Sequence, residues 1–312
     1  MSPRHNTPTH RRPAASWMLP AVGWLILLTL LLPAAACGNG GSQDGMQDGK
    51  PTIAVTYGPL AYLLREVAGE RCDVTVTLPP GANPESYDPT MAELRRLGDC
   101  AAYFQMNTPG FEESMASRFK DLAKGDSARV ADVSAGIERI EGTHADDSHG
   151  DPHIWNSVRN ARTIAANMAR ELTAIDPEGA AYYQTRLDSL TRNLDALDAE
   201  IASTLKASGN RTFAIQHPSL SYFARDYGLE QIPIESEGKE PSPAQMAERL
   251  AYAIGHHPSV MFFEREHNPE QAAELARQIG VPLVELRLNS GDWPQEMRKT
   301  AAAIAGRRNP EQ

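Results

Sequence analysis

The sequence predicts an α/β protein with two βα lobes, parallel sheets and one long rigid helix joining the lobes. Three observations predict it. Short β-branched runs alternate with helical periods over residues 51–175, and a second alternating set fills 209–312. Residues 176–208 between them read as one uninterrupted helix.

In the first set, TIAVTY (52–57), DVTVTL (73–78) and AAYFQM (101–106) have strand composition. Between the first two, Leu60, Leu63, Leu64 and Val67 fall on one helical face, and residues 89–97 give a second, shorter helix. The βαβαβ order implies a parallel sheet with right-handed crossovers. No GxGxxG follows the first strand, which disfavours a dinucleotide fold.

In the second set, TFAIQ, QIPIE, SVMFFE and PLVEL (282–286) read as strands, with helices at 218–227, 243–256, 269–279 and 293–305. Asp292 suits the N-cap of the last helix, and Gly280 the stop of the one before. The joining helix opens on Asp176-Pro177-Glu178: an N-cap, a first-turn proline and an acid at the positive end of the dipole. Leu187, Leu190, Leu194, Leu197, Ile201 and Leu205 then make a single apolar seam. Over 178–207 the helix would be ~45 Å long. A dimerising coiled coil is the competing use of that seam, but it runs for fewer than four heptads. A strut between lobes leaves a cleft where their strand-end loops converge. Cys72 and Cys100 precede strands on either side of a third, about 10 Å apart and too far for a disulfide, so two buried thiols are expected.

Charge excludes one class of function. The first 36 residues carry Arg4, Arg11 and Arg12 and no acid, while residues 37–312 hold 27 basic and 40 acidic side chains, a net of −13. Such a body repels nucleic-acid backbones and attracts cations. The basic start, the uncharged run 17–32 and Ala34-Ala35-Ala36 match a secretory signal over 1–36. Cys37 would then be lipidated and tie the chain to a membrane, with 37–50 as a flexible tether; simple cleavage after Ala36 is the alternative. Either way the destination is the periplasmic side of a bacterial cell envelope.

Four strand-end loops carry unusual chemistry. In 79–90 (PPGANPESYDPT) prolines restrict the backbone around Glu85. Residues 144–155 hold His144, His149 and His153 with three aspartates, a set able to bind a metal through neutral imidazoles oriented by carboxylates. Pro152 and Trp155 hold His153 in place, whereas small polar neighbours surround His144 and His149. His217 follows TFAIQ directly, where ligands bind in α/β sheets, although a lone histidine there more often serves the structure. Glu264, Arg265 and Glu266 read as a local ion network ahead of the 287–292 loop, and His256, His257 and His267 as surface residues.

GANPESYDPT, DPHIWNS, HPSLSYFARDYGLEQIPIESEGKEPSP and GDWPQEM together resemble the zinc/manganese ABC-transporter substrate-binding lipoproteins, the metal-binding cluster-A family, over about residues 50–306. The resemblance implies a metal cleft between the lobes, no catalysis, and delivery of Zn²⁺ (Mn²⁺ possible) to a membrane permease and its ATPase. His153 and His217 fall on the family's second and third ligands, and Glu85 stands where the family has its first histidine. The fourth ligand is normally an acid after the last strand. Here residues 286–290 contain none, leaving Asp292, Glu240, Glu266 or a water; Glu240 matches a position assigned to lobe closure. A His-rich acidic loop before DPH is typical of zinc members, so His144 and His149 would form an auxiliary capture loop. Two rival functions are a zinc hydrolase and a surface adhesin or metal scavenger without a transporter. No HExxH motif supports the first.

Overall fold

The computed structural model describes residues 46–47, 49–84, 86–123, 129–141, 150–235 and 242–307. The N-terminal lobe is built on four parallel strands: β2 (Lys50–Val55), β3 (Asp73–Val76), β4 (Ala102–Gln105) and β5 (Arg129–Asp132). β2 lies between β3 and β4, pairing Ile53 with Val74 on one side and with Ala102 on the other, and β5 extends the sheet beyond β4. A short antiparallel strand β1 (Met46–Gln47) pairs with the start of β2. Within the stretch expected to be a tether through residue 50, residues 46–47 pair locally with the adjoining start of β2, Gln47 opposite Lys50.

Helices α1 (Gly58–Ala68), α2 (Met91–Gly98), α3 (Phe111–Leu122) and α4 (Val158–Ile175) complete this lobe. α2 starts on a capping box: Thr90 accepts from the Glu93 N–H, and the Glu93 carboxylate accepts from the Thr90 N–H. Leu60, Leu63, Leu64 and Val67 of α1 are buried as their spacing requires. Sequence patterning missed α3 and β5. In β5 only Val130 and Ala131 are apolar, too short a run to register as a strand.

The second lobe repeats the plan. Its all-parallel sheet runs in the order β7 (Glu230–Pro233), β6 (Thr212–Ile215), β8 (Met261–Glu264), β9 (Leu283–Leu286). In both lobes the first parallel strand is flanked by the next two, so chain connections leave it in opposite directions. Ligands bind at such switch points, beyond the carboxyl ends of the strands. In this chain those ends lead into Thr56-Tyr57 and Gln216-His217.

α5 (Ala180–Ser208) joins the lobes after a single 3₁₀ turn, Pro177–Gly179. Its 29 residues span about 44 Å. Asp176 caps the entry, accepting from the Gly179 N–H, and is bound by Arg71 at 2.7 and 2.9 Å and by Tyr183 Oη at 2.6 Å. The seam is buried at Tyr183, Leu190, Leu194, Leu197, Ile201 and Leu205. It packs on α1 and α4 of the first lobe and on α9 (Trp293–Ile304) of the second. Intrachain packing thus consumes the seam, and one hydrophobic core runs through both lobes, from Leu60 and Tyr103 to Phe213 and Trp293. α6 (Ser221–Tyr227), α7 (Pro243–His256) and α8 (Pro269–Ile279) finish the second lobe, where Ala214, Ile232, Met261 and Leu275 form a smaller core.

Cys72 and Cys100 are buried free thiols. Desolvation pushes both up to about 12, which keeps them protonated and inert.

A buried carboxylate organises the loop after β4. Glu112, fully buried, accepts from Thr56 Oγ1 at 2.5 Å, from the Met106 and Thr108 N–H groups at 3.0 and 2.9 Å, and from Thr108 Oγ1 at 2.7 Å. These bonds hold Asn107 at φ 55, a left-handed conformation that asparagine tolerates. Burial raises the Glu112 carboxyl above its usual 4.5, and the hydrogen bonds only partly oppose it. The folded state therefore keeps this proton longer than the unfolded chain does. The associated stability is fully present below about pH 4.5 and is lost as pH rises through the folded value, at up to ~1.4 kcal/mol per pH unit. Urea unfolding of wild type and Glu112→Gln across pH 4.5–8 checks this. The wild-type stability relative to the variant should decline with pH, whereas a constant difference would contradict a raised carboxyl.

Candidate metal centre

His153 is positioned from both lobes. Asp151, only 4% exposed, accepts from the His153 N–H at 2.8 Å, and its Oδ1 lies 2.9 Å from His153 Nδ1. Burial opposes ionisation of Asp151, but the hydrogen bond and charge of His153 outweigh it and hold the carboxyl below the usual range. An Nδ1–H donated to this carboxylate leaves the Nε2 lone pair facing the cleft, the arrangement that orients metal-binding imidazoles. Tyr222 of α6 donates to the Asp151 carbonyl at 2.7 Å, and Asn156 Nδ2 donates to the Ser219 carbonyl at 3.0 Å. Ser157 Oγ donates to Asp226. The DPHIWNS segment is thereby bolted to the opposite lobe. Trp155 stacks on Tyr57 at 4.5 Å between ring centroids and closes one wall.

His217 leaves the end of β6, 8% exposed, with its Nε2 3.2 Å from His153 Nε2. Two nitrogens bound tetrahedrally to one zinc at 2.0–2.1 Å lie about 3.3 Å apart. The pair already stands at ligand spacing. Desolvation, with smaller contributions from His153 and His267, pushes His217 down to about 2, so it is neutral and needs no deprotonation to bind a metal.

A cavity of about 40 Å³ adjoins the pair, with room for a single ion or water. His267, Glu264, Glu266 and Asn289 line it from the second lobe, together with Asn83 and Pro84 from the 79–90 loop. The His267 ring stacks on His217 at 5.1 Å. Glu264 Oε1, Glu266 Oε2 and Asn289 Oδ1 are buried acceptors without a hydrogen-bond partner among the described residues. Neutral imidazoles and unsatisfied acceptor oxygens suit a cation. Among the described residues no group of three or more His, Cys, Asp or Glu side chains is placed to hold a metal ion. A second cavity of about 400 Å³ shares His153, Trp155 and His217 and extends past Tyr87, Phe111 and Arg118.

The profile of the family described as zinc-uptake complex component A, periplasmic, matches residues 53–306. The chain belongs to this family. It is 29% identical over 293 residues to the high-affinity zinc uptake system protein ZnuA of Bacillus subtilis strain 168, covering 89% of this chain and 91% of that one. The zinc-binding lipoprotein AdcA of Streptococcus pneumoniae serotype 4 is 27% identical over 255 residues, which are 77% of this chain and 50% of AdcA. A crystal structure of ZnuA superposes with a TM-score of 0.77 at 29% identity, over 83% of this chain and 99% of that one. The Mn-bound periplasmic metal-binding protein of Candidatus Liberibacter asiaticus, at 20% identity and a TM-score of 0.73 over 82% of this chain and 99% of that one, shares the fold.

Family membership places the chain among extracytoplasmic binding components, and it favours neither rival function. No helix among the described residues is long and apolar enough to cross a membrane. The structure brings together His153 and His217 as the sequence expects. Glu85, Glu240, His144, His149 and Cys37 lie outside the described residues. Asp292, expected as a candidate fourth ligand, is not among the residues lining the cavity and sits exposed at the start of α9, its carbonyl accepting from the Glu296 N–H. It occupies the N-cap position as expected, without a side-chain cap bond.

Two further expectations are overturned. His267 lines the cavity, whereas His256 and His257 are exposed. Glu264, Arg265 and Glu266 do not form a local ion network, because β8 turns Glu264 inward to 6% exposure while Arg265 points to solvent. A signal for His267 was present. Asn268 caps α8, accepting from the Glu270 and Gln271 N–H groups, so His267 is the last residue of a strand-to-helix loop, a ligand-binding place like that of His217.

Proposed function

We propose that this chain captures a divalent metal, zinc before manganese, outside the cytoplasm and delivers it to an ABC permease and its ATPase. Cys37 is its lipid anchor and the His144/His149 stretch its auxiliary capture loop. One observation supports the reading above the others: two imidazole Nε2 atoms, one from each lobe, face each other at 3.2 Å beside an ion-sized cavity. Imidazole nitrogens favour zinc over manganese, which prefers oxygen donors. The names of ZnuA and AdcA point the same way. Because one core runs through both lobes and α5 spans them, capture is a local closing of loops rather than a wide hinge motion.

Calorimetric titration of Zn²⁺ and Mn²⁺ into the metal-free mature chain tests this. The expected result is one tight zinc equivalent, with manganese weaker. Absence of any tight equivalent for either ion would overturn the reading.

A further inference from the structure

Ile140 and Asp151 face each other across the neck of the segment between them, with the Asp151 N–H donating to the Ile140 carbonyl at 2.9 Å. In an antiparallel pair two such residues exchange both bonds, and the second would run from the Ile140 N–H to the Asp151 carbonyl. Here a side chain of the other lobe takes its place. The Ile140 N–H donates to Tyr222 Oη at 3.1 Å, and that hydroxyl donates to the Asp151 carbonyl at 2.7 Å. Tyr222 is fully buried, and desolvation pushes its hydroxyl up to about 12, so it keeps the proton it donates. Its ring is pinned as well: the Arg225 guanidinium lies over it at 5.0 Å and is itself held by Asp226 at 2.8 Å. Beside Asp151, Gly150 at φ 67 packs so closely that a Cβ would lie 2.7 Å from the Ile140 carbonyl oxygen. The hydroxyl is thus wedged into a tight neck.

Resting on the zinc-capture reading, we infer that Tyr222 is a positioning residue for the metal centre: its hydroxyl holds Asp151, and through Asp151 it holds His153 opposite His217. One carboxylate oxygen of Asp151 meets both the His153 N–H at 2.8 Å and its Nδ1 at 2.9 Å, so a displacement of Asp151 carries the imidazole with it. Without the hydroxyl, the Ile140 N–H and the Asp151 carbonyl are left as an unpaired donor and acceptor. They satisfy each other by closing into the ordinary antiparallel pair. That closure shifts Asp151 and, with it, the His153 Nε2 from its place opposite His217. Tyr222 follows His217 by five residues, so one short run carries the first imidazole and aligns the second.

The test is a competition titration of zinc against a chromophoric chelator, using the mature chain as wild type and as Tyr222→Phe, Gly150→Ala, Tyr227→Phe and His153→Ala. Tyr222→Phe removes one oxygen and keeps the ring. It should weaken zinc about 10-fold, the lower end of the loss that follows when a group orienting a metal ligand is removed. Gly150→Ala spreads the same neck without touching the tyrosine, and it should weaken zinc by about as much. Tyr227→Phe is the control: it deletes another hydroxyl of α6, one that donates to Asp198 of α5 at 2.8 Å, and should stay within about threefold of wild type. Nitrogen NMR of the metal-free chain separates positioning from a general loss of stability, because it reads which ring nitrogen of His153 carries the proton. Wild type and Tyr227→Phe should show Nδ1–H, and Tyr222→Phe should lose that preference. Affinity and tautomer unchanged in Tyr222→Phe, or shifted equally in Tyr227→Phe, with His153→Ala impaired, would overturn this inference alone. Wild-type affinity in His153→Ala would overturn the zinc-capture reading beneath it.

Discussion

Replacing His217 with alanine should abolish the thermal stabilisation that zinc gives the wild-type protein. An ion that binds only the folded state stabilises it by RT ln(1 + [L]/Kd), about 4 kcal/mol at a 1,000-fold excess over Kd. For a chain of this size that is a rise in melting temperature on the order of 10 °C. His217 is buried, neutral before the metal arrives and 3.2 Å from its partner nitrogen. His153→Ala should remove the shift too, and it should also lower metal-free stability, because it strips Asp151 of its hydrogen-bonded partner in a buried setting. Scanning calorimetry with and without zinc separates the two effects. Retention of the full shift in either variant would exclude that residue from the site.

The second large effect is expected at Gly58, the first residue of α1. A Cβ built there would lie 2.4 Å from the Asn289 carbonyl oxygen, 2.5 Å from the Ser290 carbonyl carbon and 2.7 Å from the Gly291 nitrogen. All three are backbone atoms of the opposite lobe, so no side chain can swing aside. Gly58→Ala should force apart the two lobe edges beside Asn289, which lines the cavity. Overpacking of this kind costs about 1–3 kcal/mol, and a backbone clash belongs at the upper end. Zinc affinity should fall with stability, although residue 58 offers the metal no side chain. Denaturant unfolding and zinc titration of the same variant check both. Unchanged affinity despite lost stability would show that the site does not depend on this lobe contact.

Local periodicity made much of the fold legible. The seam at Leu190, Leu194, Leu197, Ile201 and Leu205 declares a helix because its 3–4 spacing is set by backbone geometry alone, and all five residues are buried. TFAIQ and SVMFFE declare strands by composition, and the residue after the first, His217, is where parallel sheets present ligands. What was not legible depends on residues distant in sequence. His267 sits among Glu266, Asn268 and Glu270, neighbours that read as a solvated turn, yet Pro84, His153 and Asn289 arrive from other elements and enclose it. Asp292 shows the converse: its local preference for a helix start is visible in the sequence and decides its place, leaving it outside the cavity. The hydrogen bonds from Tyr222 and Asn156 that join the DPHIWNS segment to the second lobe were equally hidden, since their acceptors lie 71 and 63 residues away.

The most direct test of metal capture between the lobes is a crystal structure of the zinc-soaked mature chain, with data collected on both sides of the zinc absorption edge. The expected result is one strong anomalous peak about 2.0–2.1 Å from both His153 Nε2 and His217 Nε2. A peak located elsewhere, or none at either nitrogen, would contradict it.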